Sequence, residues 1–153
     1  MLDVELSPTT ASGYARLAFD QMLAVADRLG DERANERPIG PHVNSVASLV
    51  IHCCGVAEFW LGHVGLGRDS HRAREAEFSR TASLAELRAM ADATCRQVEA
   101  DLQALEAGAR SPHSGGRTFL QVDDTDASLV LHVIEELFQH LGHAELAADA
   151  LLQ

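Results

Sequence analysis

The chain has 153 residues, the size of one domain that buries a core without needing disulfide or metal staples. Its 12 lysines and arginines stand against 23 aspartates and glutamates. The resulting net charge of -11 argues against a surface built for a nucleic-acid backbone or an anionic membrane, so neither is expected as a partner.

Cys53, Cys54 and Cys95 are an odd set with two adjacent members, which makes a poor disulfide framework and fits a reducing compartment. The first residues carry no basic stretch leading into an apolar one, and no apolar run reaches about 18 residues. A soluble cytoplasmic protein with one domain over residues 1–153 is expected.

Ser7 and Pro8 open the first helix, serine capping free amides and proline sitting comfortably in the first turn. Tyr14, Leu17, Ala18, Met22, Val25 and Leu29 fall near one face, with Arg16, Asp20, Asp27 and Arg28 away from it, until Gly30 breaks the pattern. Pro38, Gly40 and Pro41 make residues 31–43 a connection. A second helix spans residues 45–64 after an Asn44 or Ser45 cap. Val46, Leu49, Val50, Val56, Phe59, Trp60 and Leu61 cover much of its circumference, which predicts a central position; Gly62, Gly65 and Gly67 end it.

Residues 68–80 are charged and aperiodic and read as a loop or short turn. Ser83 and Glu86 have the spacing of a capping box and start the third helix, which runs to about residue 105. Leu84, Leu87, Met90, Ala91, Thr94, Val98 and Leu102 form its inward stripe. Gly108, Pro112, Gly115 and Gly116 mark a second linker over 107–124, with residues 118–122 briefly extended. Thr125 or Asp126 then caps a fourth helix over 127–152. Four such helices predict an all-α four-helix bundle whose long connections leave room for a topology other than simple up-and-down.

The fourth helix carries a polar stripe that needs a reason. At about 100° per residue, Leu129, His132, Val133, Glu136, His140, His143 and Ala147 share one face. Glutamate is almost never fully buried unless paired, so Glu136 among histidines on an inward face calls for a partner. Glu136 and His140 are one turn apart and can reach one point in front of the helix. His52, on the second helix, offers a third donor, and bundles build metal sites in this way. Two histidines and a carboxylate leave positions open for water or substrate. The same spacing also suits a solvated surface pair, and His52 also suits a hydrogen-bonded core histidine; spacing alone leaves these readings open.

Two runs carry a family resemblance: Val43-Asn44-Ser45-Val46-Ala47-Ser48-Leu49-Val50-Ile51-His52-Cys53-Cys54-Gly55-Val56-Ala57-Glu58-Phe59-Trp60-Leu61, and His132-Val133-Ile134-Glu135-Glu136-Leu137-Phe138-Gln139-His140-Leu141-Gly142-His143-Ala144-Glu145-Leu146. Together they resemble the DinB-like superfamily, in particular its branch with mycothiol-dependent maleylpyruvate isomerase. The resemblance implies a DinB-like four-helix bundle with a divalent metal, zinc or nickel, held by His52, Glu136 and His140. It also implies thiol S-transferase chemistry, the metal activating mycothiol, bacillithiol or another low-molecular-weight thiol for attack on a small electrophile.

Within that implied site, His143 is the candidate catalytic residue, as a proton carrier or thiol contact, and His132 a candidate partner of the ligands. The isomerase is longer, with an additional C-terminal domain, so its substrate is not carried over. Cys53 and Cys54 point away from His52 and are expected in the core. His42, His63, His71 and His113 take no role. A non-catalytic metal- or ligand-binding stress-response bundle is the alternative, and whether the chain forms a homodimer stays open.

Overall fold

The computed structural model describes residues 5–38, 43–111 and 114–153. Gly40, Pro41, Pro112, His42 and His113, named in the sequence reading, lie outside the described residues. Helix α1 spans Pro8–Arg33, α2 Val46–Ala57, α3 Arg74–Glu77, α4 Leu84–Glu106 and α5 Asp126–Leu152. The third and fourth helices expected from sequence are thus α4 and α5. No strand occurs among the described residues: the stretch expected to be extended over 118–122 begins inside a 3₁₀ turn, Ser114–Phe119, and continues as irregular chain.

The helix starts are set by the side chains that mark them in the sequence. Ser7, Ser45, Ser83 and Thr125 each accept a hydrogen bond from the backbone amide three residues on, and Ser83 with Glu86 forms the reciprocal capping box. Gly30 adopts φ 77°, the left-handed conformation that glycine takes without strain, but the chain then coils on to Arg33 instead of stopping.

α2 also continues, as a π-helical stretch Glu58–Gly65, so Gly62 and Gly65 lie inside the wound segment. This long apolar segment, Val46–Gly65, has a composition that crosses membranes elsewhere. Here most of it is buried against the other helices, so its apolarity belongs to the core.

The buried face of α1 is centred differently from its apolar stripe. Ala11, Ala15, Ala18, Phe19, Met22 and Ala26 are at most 2% exposed, whereas Tyr14 and Leu17 face solvent, Tyr14 resting edge-on against Phe138. Alanines let the backbones approach closely, and that closeness decides which face turns inward. On α4 the inward set is Leu87, Ala91, Cys95, Val98, Leu102 and Leu105. Asp101 is buried with them, held by two hydrogen bonds from Arg68 at 2.9 and 2.7 Å and one from Gln97.

Ion pairs and ring contacts give the topology. Asp27 meets Arg88 near the start of α4, so α1 and α4 are antiparallel. Arg28 meets Asp149 near the end of α5, so α1 and α5 run parallel. His52 and Trp60 meet His140 and His132 in reverse order, so α2 is antiparallel to α5. The order is up, down, down, up. Because α2 and α4 point the same way, residues 66–83 must return along the bundle, and α3 lies on that crossover.

Candidate metal centre

His52 sits two turns into α2 and is 3% exposed. Its Nδ1–H donates to Glu77 Oε2 at 2.8 Å, the direction required because an ionised carboxylate only accepts. Glu77 ends α3 and is the one buried residue of that helix. Arg72 grips it with Nε to Oε1 at 2.6 Å and Nη2 to Oε2 at 3.0 Å, while its guanidinium lies 5.7 Å from the centre of the Phe59 ring.

Burial alone would push the Glu77 carboxyl up. The hydrogen bonds from Arg72 and His52 outweigh it and hold it below the usual carboxylate range. Burial also lowers the His52 imidazole, which therefore stays neutral with Nε2 free to donate a lone pair.

Gly55 makes this arrangement fit. It stands one turn after His52 on the same face, and a Cβ there would come within 2.3 Å of Glu77 Oε1 and 3.0 Å of Arg72 Nε. Only a bare backbone lets the carboxylate and guanidinium settle against α2.

On α5, the His140 ring packs edge-on against His52 with centroids 4.7 Å apart, and its Nε2 is 3.3 Å from Glu136 Oε2. Its other nitrogen, Nδ1, lies 3.3 Å from His143 Nδ1, one donating to the other's lone pair. Burial first, then the neighbouring imidazoles, lower the His140 pKa. Each of the two inner histidines thus has Nδ1 engaged outside the cluster, which is how metal-binding imidazoles are oriented.

Ligating atoms of His52, Glu136 and His140 all lie within 4.8 Å of one another. Around a tetrahedral ion with bonds of about 2.1 Å, donors stand about 3.4 Å apart, so the set fits with small side-chain adjustments. Two imidazoles and a carboxylate suit zinc and other borderline divalent cations and leave at least one position open.

The centre lies at the margin of the core. Val133 and Leu137 next to it are buried, but the Glu136 and His140 side chains keep 26% and 14% exposure and His143 is exposed. His132 packs edge-on against Trp60, 3.7 Å from Glu135, and with Glu135 and Glu136 forms a second, more open group of donors that shares Glu136. The structure does not bring His63 or His71 to the centre: both are exposed, and His63 Nδ1–H donates to the Arg68 backbone carbonyl.

Sequence reasoning missed Glu77, Arg72 and Gly55. The only trace was a carboxylate and an arginine five residues apart in an aperiodic stretch. Cys53 and Cys54 are buried as expected.

An all-α bundle with facing core helices that carry this histidine and glutamate set defines the chain as a DinB-like protein. Within that class it belongs to the Mycothiol-S-transferase (MST) family, whose model matches residues 12–151. No curated protein and no solved structure matches the chain. Family membership connects it with mycothiol and thiol S-transfer.

Proposed function

We propose that the chain is a divalent-metal-dependent thiol S-transferase that uses mycothiol, with His52, Glu136 and His140 as ligands and zinc or nickel as the ion. The observation that carries this reading is the convergence of those three side chains, each inner histidine holding Nδ1 on a group outside the set, in a member of a thiol-transferring family. A cation bound there would stabilise the thiolate form of a thiol, the nucleophilic form.

The protein's own groups do the rest. Glu77, fixed by Arg72, keeps His52 in one tautomer and one orientation. His143, exposed at the solvent side of His140, takes on Nδ1 the proton that the thiol gives up, using the lone pair that otherwise accepts from His140. The thiolate sulfur then bonds to an electrophilic carbon, whose leaving group departs with its bonding electrons. The same reading makes the partners a soluble thiol and a small electrophile in the cytoplasm, with neither nucleic acid nor membrane involved.

Purified protein should carry or take up one equivalent of metal by elemental analysis, and His52→Ala and His140→Ala should lose it. Metal-loaded protein should consume mycothiol in the presence of a model electrophile faster than bacillithiol or glutathione. Failure to load any divalent metal removes the ligand assignment; thiol loss at the background rate in loaded protein removes the transferase.

A further inference from the structure

The α5 stripe runs past the metal centre. One turn beyond His140 stands His143, and beyond that Ala147; on the antiparallel α2, Leu49 stands one turn before His52. A cavity of about 300 Å³ opens between these turns and the chain leading into α2. Leu49, Leu146 and Ala147 wall it and Ala150 sits at its rim. Among the described residues its only polar side chains are Asn44 and His143, and none is an aspartate, glutamate, lysine or arginine.

That neutrality is unusual for a chain of net charge -11. The cavity at the other end of the stripe, of about 350 Å³, is bordered by Glu135 and His132 instead. Leu146 on the cavity wall is 70% exposed, an apolar surface open to solvent. The His143 ring joins cavity and centre, since it lines the one and lies 3.3 Å from His140 in the other.

We propose that this cavity binds the electrophile by an uncharged alkyl or aryl body of about ten non-hydrogen atoms, with its reactive carbon directed past His143 to the metal centre. The assignment rests on the transferase reading and adds to it the chemical class of the second substrate. Apolar atoms gain by leaving water for these walls, whereas a carboxylate would lose its hydration with no lysine or arginine among the described lining residues to replace it.

Binding to the whole chain without metal or thiol tests the cavity separately from catalysis. In methyl NMR spectra, alkylbenzenes should shift the Leu49, Leu146 and Ala147 signals. Affinity should rise about fourfold with each added methylene from toluene to butylbenzene, the gain from burying one CH₂. 4-Butylbenzoate should bind at least tenfold more weakly than butylbenzene. Ala150→Phe, which fills the cavity from an exposed position, and Leu146→Asp, which brings a charge to its wall, should each weaken butylbenzene binding tenfold or more.

Shifts centred on Leu120 and Leu131, equal binding of the benzoate, or undiminished binding by Ala150→Phe would overturn the proposal. In loaded protein, thiol transfer whose KM for alkyl electrophiles is the same in Ala150→Phe also overturns it, and leaves the transferase standing. Intact alkylbenzene binding with no transfer to any electrophile overturns the transferase reading, and leaves a site for neutral apolar ligands.

Discussion

His52 Nδ1 and Glu77 Oε2 lie 2.8 Å apart across 25 residues of sequence, the carboxylate reaching the imidazole from a four-residue helix on the crossover. Replacing Glu77 with Gln keeps the size but removes the anionic acceptor and half of the Arg72 grip. Metal affinity of Glu77→Gln should fall about 10- to 100-fold, the usual cost of losing such a partner. Competition with a chromophoric chelator measures it. An unchanged affinity would mean that the contact orients nothing.

Gly55→Ala separates packing from propensity. In a helix interior alanine is worth about 0.8–1.0 kcal/mol more than glycine, so an unobstructed site would gain stability. Here the new methyl displaces Glu77 and Arg72. Thermal unfolding should show no gain, and metal affinity should drop although no ligand has changed. A more stable variant with wild-type affinity would show that the crossover yields freely.

Asp101 is 3% exposed and satisfied by Arg68 and Gln97. Asp101→Ala leaves Arg68 able to rehydrate, because its side chain is 37% exposed, but removes two hydrogen bonds between α4 and the crossover and one within α4. Urea denaturation should report a loss of about 1–3 kcal/mol. A neutral result would show that the pair only offsets its own desolvation.

The three cysteines should resist thiol reagents. Burial pushes Cys54 up to about 11 and raises Cys53 and Cys95 too, so almost no thiolate exists at neutral pH. Labelling in native buffer should be slow at all three and complete only after unfolding. Rapid modification of one would supply an internal nucleophile and remove the need for a thiol from outside.

Acid should loosen two helix starts. Glu86 is held below its ordinary pKa by the amide and hydroxyl of Ser83, and Asp123 by Ser128 and Thr125. Both carboxyls bind protons less readily folded than unfolded. The stability they confer is therefore complete above the ordinary carboxyl range near pH 4 and is lost as pH falls through the lower folded values. Carboxyl NMR titrations should give midpoints below the ordinary values, and Asp123→Asn should remove its share of the acid-side slope. Ordinary midpoints would contradict the capping geometry.

What was legible in the sequence was local or periodic. Ser7, Ser83 and Thr125 mark helix starts because a cap is a contact over three residues, and the α5 stripe emerges because helical spacing alone puts Glu136 beside His140. Tyr14 and Leu17 misled because apolarity does not tell which of two neighbouring faces the backbones approach more closely. Glu77 was hidden for a deeper reason. Nothing within residues 68–80 distinguishes it from Glu75, which stays exposed, and only the return of the chain along α2 makes it the buried one. Gly55 shows in the sequence as a weak helix residue, but its reason lies in a side chain 22 positions away.

The crossover also divides the proposed centre between the two halves of the chain. Everything before α4 contains His52 and its Glu77 support; everything after it contains Glu136 and His140. Neither half holds a complete set, so the cluster exists only while both are docked, and long-range closure must precede it during folding. An ion held there would therefore resist separation of the halves, and amide exchange slowed by the ion should extend over α2 and α5 together, reporting global opening and not the fraying of one helix.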